Sequence, residues 1–259
     1  MKNLIKSILY EVTRSKLLLI TYSFMIALMI LLGLINAPDS STSGMYITDS
    51  SLPYTFPLFV IALTVGMVIC PDYRDKVGNY EILSGHSRIS VYFSRVLCAV
   101  IPGAFLAYFL TFLPMITGII FCGWGDKLVF TDVLSRQLLF IFPFIRLAAF
   151  TACLAYMIKN EYVLMSIGII YSFGSLFLTS LYDKVSSNVF ISIYNLKYLM
   201  SYDVWSIYNL SPTKGIVKYA SATGAIDTKM IFSTIAASCV MTLIYIIIGY
   251  ALFRRSEMN

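Results

Sequence analysis

Charged residues are scarce in this chain and make up 12% of its 259 residues, whereas a soluble domain has about a quarter. The mean hydropathy is +0.81. So few charges cannot cover the surface of a soluble protein of this size, and the composition therefore indicates a membrane protein. The net charge of +6 does not indicate nucleic-acid binding, because the placement of the basic residues follows membrane topology.

Residues that carry enzyme chemistry are also few. The chain has one histidine, His86, and no GxxxxGK[ST] loop for binding ATP. The uncharged stretches contain no carboxylate and no histidine, which argues against an intramembrane protease. The five cysteines form no CxxC pair and all fall in apolar runs, at Cys70, Cys98, Cys122, Cys153 and Cys239. The sequence therefore predicts no catalytic, metal or cofactor site in this chain.

The chain instead contains long stretches without any charged residue. Five of them hold 21 to 30 residues each, and roughly 20 helical residues cross a bilayer core of about 30 Å. A sixth stretch is uncharged except for Arg146. We therefore predict an all-α integral membrane protein, one transmembrane domain over 1–259, with six spans at about 17–37, 52–71, 96–121, 137–158, 162–182 and 230–253.

The basic residues predict the orientation. Eleven lysines and arginines fall on the side of the two termini and seven on the opposite side, five of these in the long segment 183–229. Basic residues in short segments collect on the cytoplasmic face, and long segments count less. We expect a multi-pass protein of the cell membrane with both termini in the cytoplasm.

Two further segments show membrane-surface patterns. In 2–16 the apolar residues recur on one helix face, which favours an amphipathic helix on the inner headgroup surface, with a plain extension of the first span as the alternative. The segment 183–229 is rich in tyrosine and contains Trp205. We expect one or two short helices there on the outer face, as an aromatic anchor or, alternatively, an outer gate.

Polar residues are concentrated in 72–95, between the second and third predicted spans. Val77, Tyr80 and Leu83 are spaced three apart, so they share one face of a short helix. Gly85 is suited to end that helix in a left-handed conformation, and Ser87 to cap the next. The pattern predicts a cytoplasmic elbow. It docks another protein, or it is an interfacial loop whose charges only set the topology.

The order of residues in the elbow resembles the membrane subunit of ABC-2-type transporters, the class found in bacterial antimicrobial-peptide (lantibiotic) export and immunity systems. The matching positions are Asp72-Tyr73-Arg74, Gly78, Leu83 and Ser87-Arg88, and Arg95 stands where the family often has lysine. Asn79 stands where the family commonly has threonine, and His86 where it has proline. The stretch 209–216 is faintly similar to the family's Asn-Pro segment before the last span.

The resemblance implies a permease subunit that exports a hydrophobic or amphipathic substrate. Two copies of a separate P-loop ATPase would bind ATP and Mg²⁺, and a second membrane subunit, the same or homologous, would complete the transporter. The elbow would be the coupling helix. Its contact residues would be Asp72, Arg74, Val77, Tyr80, Glu81, Leu83 and Arg88. The alternative is a multi-pass scaffold or sensor without transport activity.

Arg146 is a polar residue near the middle of the fourth predicted span. An arginine at this depth is unfavourable in lipid, so it should face protein or water. A structural role is favoured, either with a carbonyl left free by Pro143 or by snorkelling. The alternative is contact with an anionic part of a substrate.

The topology is testable by cysteine labelling in intact cells. Single cysteines are placed at Ser84 or Ser206 in a variant without the native cysteines. A membrane-impermeant maleimide should label position 206 and label position 84 only after lysis. The reverse pattern would contradict the predicted orientation.

Overall fold

The computed structural model describes residues 2–36, 52–71, 73, 77–122, 134, 138–139, 141–170 and 228–256. These residues are almost entirely helical and contain no strand. In chain order the helices are α1 (Lys2–Arg14), α2 (Lys16–Asn36), α3 (Leu52–Ile69), α4 (Val77–Leu83), α5 (Arg88–Cys122), α6 (Ile141–Ile158), α7 (Glu161–Ile170) and α8 (Thr228–Ser256). Residues 183–227 of the predicted outer segment 183–229 and most of the predicted span 162–182 lie outside the described residues, whereas 228–229 begin α8.

Three helical segments are long and apolar enough to cross a membrane, namely Arg88–Leu113, Ile141–Ile158 and Ile235–Arg255. The pair α1 and α2 meets at a bend of 60° and makes a fourth if it counts as one span. The segments Phe59–Ile69 and Glu161–Ile170 are apolar but shorter. The described chain thus has three to four candidate spans, which indicates a multi-pass membrane protein. The number six stays a prediction.

Hydroxyl groups within these helices bond back to their own backbone. Thr64, Ser94 and Thr151 each donate to the carbonyl oxygen four residues earlier, at 2.7 to 2.8 Å. A polar group in an apolar interior is costly unless it has a partner, and this local bond supplies one. The helices therefore tolerate threonine and serine without polar partners from other helices.

The core is built around α5, which contacts α1, α2, α3, α4, α6 and α8. The most extensive pairing outside it joins α6 to α8. The side of α6 inside the core carries small residues, which let two backbones approach closely; these are Ala148, Ala149, Ala152 and Ala155. In α8 only 17% of the candidate span is buried, against 50% in α5 and α6. α8 therefore lies at the edge of the bundle.

The amphipathic helix α1 turns its apolar stripe toward the protein. Leu4, Ile8 and Val12 are buried in the main core, and α1 contacts α5 more than any other helix. On its outer side, Tyr10 is exposed and the Arg14 guanidinium lies 4.7 Å from the centroid of its ring. The stripe predicted to rest on headgroups is thus covered by α5. The location of α1 at the membrane surface stays a prediction.

A glycine sets the contact between α7 and α3. A Cβ atom added at Gly168 would overlap the Cβ of Ala62, which has no flexible end to move aside. At Gly103 of α5 the nearest atoms to an added Cβ are 3.7 Å away, an ordinary contact. The two glycines therefore differ in whether a methyl group fits.

We expect Gly168→Ala to separate α7 from α3 and to lower the free energy of unfolding by about 1–3 kcal/mol, as overpacking does. Gly103→Ala is the matched control and should be neutral or slightly stabilising. Thermal unfolding of the purified protein in detergent measures both. Equal midpoints for the two variants would contradict the close approach at Gly168.

Candidate functional site: the elbow between α3 and α5

Within the part of the elbow that the structure describes lies the short helix α4, which packs against α5. Of the predicted coupling residues, Asp72 and Arg74 lie outside the described residues. Val77 begins α4, but its side chain is also outside the described part. The described site therefore consists of Tyr80 to Arg88 and the residues that they contact.

The turn between α4 and α5 has the geometry expected from its sequence. Gly85 has a φ of 96°, the left-handed conformation that glycine adopts without strain. The Gly85 amide donates to the Ile82 carbonyl at 3.0 Å and the His86 amide to the Glu81 carbonyl at 3.3 Å. The predicted helix stop at Gly85 is confirmed.

Ser87 caps the following helix. Its Oγ accepts a hydrogen bond from the Ser90 amide at 3.3 Å, and its carbonyl accepts from Val91 at 3.0 Å. A serine in this position satisfies one of the amides that the first helical turn leaves without a partner. The predicted cap at Ser87, with α5 starting at Arg88, is confirmed.

The two sides of α4 differ in burial. Tyr80 and Leu83 are 69% and 81% exposed, so neither side chain is buried against the bundle. Ile82 is partly buried against the main core. Arg88, the next predicted coupling residue, is exposed at the start of α5. α4 therefore has an outer side with two large apolar groups and an inner side held by the bundle.

Glu81 lies on the inner side. Its Oε2 accepts a hydrogen bond and ion pair from an Arg95 terminal nitrogen at 2.7 Å. The Arg95 side chain is 4% exposed and that of Glu81 is 17% exposed. A charge-assisted bond of this length between largely buried groups is a strong, directional contact. It joins α4 to α5 at a point separate from the covalent turn.

A cavity of about 410 Å³ adjoins this ion pair, between α1, α3, α4, α5 and α7. Its walls carry the carboxylates of Glu11, Glu81 and Glu161 together with Arg95. Burial raises the pKa of the Glu81 carboxyl, and the negative charge of Glu11 raises it further. Burial and Glu11 thus both disfavour the ionised form of Glu81, whereas the attraction of Arg95 at 2.7 Å acts in the opposite direction. The region is acidic and only partly hydrated.

Aromatic rings pack beside the elbow where α5, α6 and α8 meet. The rings of Tyr92, Tyr156 and Phe253 lie with centroids 5.2 to 5.7 Å apart, distances typical of favourable aromatic pairs. The Tyr92 hydroxyl donates to the Ile246 carbonyl at 2.6 Å. Tyr73, just before α4, contacts Tyr156 edge-to-face at 6.3 Å. This aromatic cluster joins the start of α5 to α6 and α8.

The turn between α6 and α7 lies next to the same region. Lys159 has a φ of 61° and ends α6, and the Asn160 side chain accepts from the amides of Tyr162 and Val163 at 3.0 and 3.3 Å. The Lys159 ammonium lies 5.2 Å from the centroid of the Tyr73 ring. The turn between the fourth and fifth predicted spans is therefore a capped helix break that contacts the elbow near its start, at Tyr73.

Comparison of the chain with models of known protein families and with curated protein sequences finds no match. Within the described ranges, no group of three or more His, Cys, Asp or Glu side chains is arranged to hold a metal ion. The resemblance to ABC-2-type permeases thus stays a hypothesis, and the site is defined by its geometry.

Arg146 lies away from the elbow, in the interior of the bundle. Its side chain is 1% exposed, and it is close enough to Tyr245 of α8 to interact electrostatically with it. Phe144 and Leu147 beside it are also buried. The side chain is thus enclosed within this one chain, as a structural role requires.

Sequence reasoning did not assign a role to three residues of the site. The sequence marks Arg95 only as a motif position and gives no sign of a role for Tyr92 or Glu161. The sequence feature that could indicate this site is Arg95 itself, because it is a charged residue at the edge of an apolar stretch. Its partner Glu81 is 14 positions away across a turn, so helical periodicity cannot predict the pair.

We expect Arg146→Gln to fold and to lower the free energy of unfolding by about 1–3 kcal/mol, because a buried hydrogen-bonding and charged group is shortened. Activity per folded molecule should be largely retained. Arg254→Gln, at an exposed site in α8, is the control and should change stability by less than about 0.5 kcal/mol. Thermal unfolding measures both. An unchanged midpoint together with lost activity would instead indicate a substrate contact.

Proposed function

We propose that this chain is the membrane permease subunit of an ATP-driven ABC-2-type exporter, with six spans and both termini in the cytoplasm. The observation that carries the proposal is the two-sided elbow. α4 exposes Tyr80 and Leu83 outward while Glu81 holds it to the bundle. A short helix with an exposed apolar pair and an internal anchor suits docking in a groove of a partner, and an interfacial loop whose apolar side chains face lipid is the alternative.

The proposed partner is a soluble P-loop ATPase, present in two copies. Apolar anchors flanked by charge are a common means of docking a short helix in a groove of a partner. The exposed pair on α4, with Arg88 nearby, has this composition. ATP and Mg²⁺ would bind to the ATPase, and its closure would push the elbow and move the spans as rigid bodies.

A second membrane subunit, the same or homologous, would complete the transporter. The exposed side of α8 carries several large apolar residues, which suit either lipid or a second subunit; these include Phe232, Val240, Leu243, Ile247 and Ile248. The substrate class proposed is a hydrophobic or amphipathic molecule such as a peptide, drug or lipid-like compound.

The proposal predicts a specific loss in Tyr80→Ala with Leu83→Ala. Interface anchors typically contribute about 2 kcal/mol or more each, so removal of both should weaken ATPase binding by orders of magnitude. Membrane abundance should be unchanged, because both side chains are exposed. The measurement is co-purification of a P-loop ATPase, normalised to permease.

A matched control uses the other end of α5. Ile120 and Phe121 are 69% and 65% exposed, so Ile120→Ala with Phe121→Ala removes a comparable apolar surface far from the elbow. This control should keep the ATPase. Retention of the ATPase and of full function by the elbow variant would show that the elbow is only an inner-face anchor. A wild type that binds no ATPase would leave a scaffold or sensor as the better proposal.

A further inference from the structure

We infer that Glu81 is the anchor that makes α4 and the start of α5 one rigid unit, and that it does not contact the partner. This inference rests on the proposed function, and it divides the elbow residues into two groups with different roles. Tyr80 and Leu83 bind the ATPase, whereas Glu81 and Arg95 transmit its movement to α5. Glu81 is a positioning residue in this scheme.

The directions of the side chains separate the two groups. On a helix, residues three apart share a face, whereas the neighbour of either one points well away from it. Tyr80 and Leu83 are three apart and both exposed. Glu81 is rotated from that face and reaches Arg95 within the bundle. A carboxylate already held by a buried guanidinium is poorly placed to bind a partner on the other side of the helix.

The ion pair prevents a rotation of α4 relative to α5 that the turn alone would allow. α4 is joined covalently to α5 through a tight turn at Gly85, and a single connection of this kind allows one helix to rotate relative to the other. The contact between Glu81 and Arg95 is a second connection, seven residues into α5. Two connections fix the angle between α4 and α5. A push on Tyr80 and Leu83 then moves α5 instead of bending the turn.

The start of α5 is in turn connected to the rest of the bundle. Tyr92, one turn before Arg95, packs in the aromatic cluster with Tyr156 of α6 and Phe253 of α8 and bonds the Ile246 carbonyl. Displacement of this part of α5 must therefore shift α6 and α8, because close-packed side chains transmit displacement. The route from the elbow to two candidate spans consists of direct contacts throughout.

The test compares Glu81→Gln with the wild type in complex with its ATPase. In a variant without the native cysteines, spin labels at Ile89→Cys and Ile20→Cys, both exposed positions, report the distance between the start of α5 and α2, which lies outside the aromatic cluster, with and without ATP. We expect ATP to shift this distance in the wild type. In the Glu81→Gln variant the shift should be lost while the ATPase still co-purifies at the wild-type level.

A second readout needs no ATPase. Hydrogen exchange of the amides of residues 80–86 should be at least ten-fold faster in the Glu81→Gln permease alone, because α4 has lost its second connection. If the wild type binds no ATPase, the proposed function fails and this readout alone decides the anchor role. Unchanged exchange would overturn the inference.

The double variant Glu81→Gln with Arg95→Gln separates positioning from stability. Replacing both members of the pair removes one charge of each sign, so folding should recover in part, although Glu11 and Glu161 remain in the cavity without Arg95. The distance shift should not recover, because a connection between neutral amides is much weaker than the ion pair. Recovery of the shift would show that the pair is only structural. Release of the ATPase from the single variant would show that Glu81 is a docking contact.

Glu81→Asp covers the case in which glutamine at position 81 prevents folding. It keeps the charge and shortens the side chain by one methylene, so the 2.7 Å contact with Arg95 is lengthened. An intermediate exchange rate and a reduced distance shift are expected. Wild-type values in both measurements would contradict a role that depends on the length of the side chain at position 81.

Discussion

The constraint on which this structure depends is that backbone amides and carbonyls within a bilayer must find partners inside the protein. Continuous helices meet it along their length, so every interruption needs a local solution. Three described interruptions each have one, at Ser15, Ser87 and Asn160, whose side chains accept bonds from the first amides of the helix that follows. Breaks in the chain are therefore placed where a capping residue is available.

The residues around these breaks also collect the buried charge. Ser15, Glu81, Arg95 and Glu161 line one cavity, so the caps and the ion pair share the same end of the bundle. Charge is tolerated there because each ionised group lies near an opposite charge or partial solvent. The remainder of the core is apolar except for Arg146 and a few hydroxyl groups. Buried charges and helix ends thus occur together, because both need polar partners.

Local features of this fold follow from sequence because their causes are local. Gly85 and Ser87 were predictable, since a left-handed stop and an N-cap depend on one residue and its neighbours. Hydropathy likewise located α2, α5 and α8. It did not reveal the pairing of Glu81 with Arg95, which needs the relative position of two helices, or the covering of the α1 stripe by α5. An apolar helix face indicates that the face is shielded from water, but it does not show whether lipid or protein covers it.

The length of α5 has a consequence for how far the elbow stands from the bilayer. α5 has 35 residues, which at 1.5 Å per residue is about 52 Å of helix. A straight helix of this length would have to tilt by more than about 50° to fit within a core of about 30 Å, beyond the usual range. Part of α5 must therefore project past the acyl chains. The end that carries Arg88 and Arg95 is polar, so the proposed orientation places α4 at the height of the headgroups or above them.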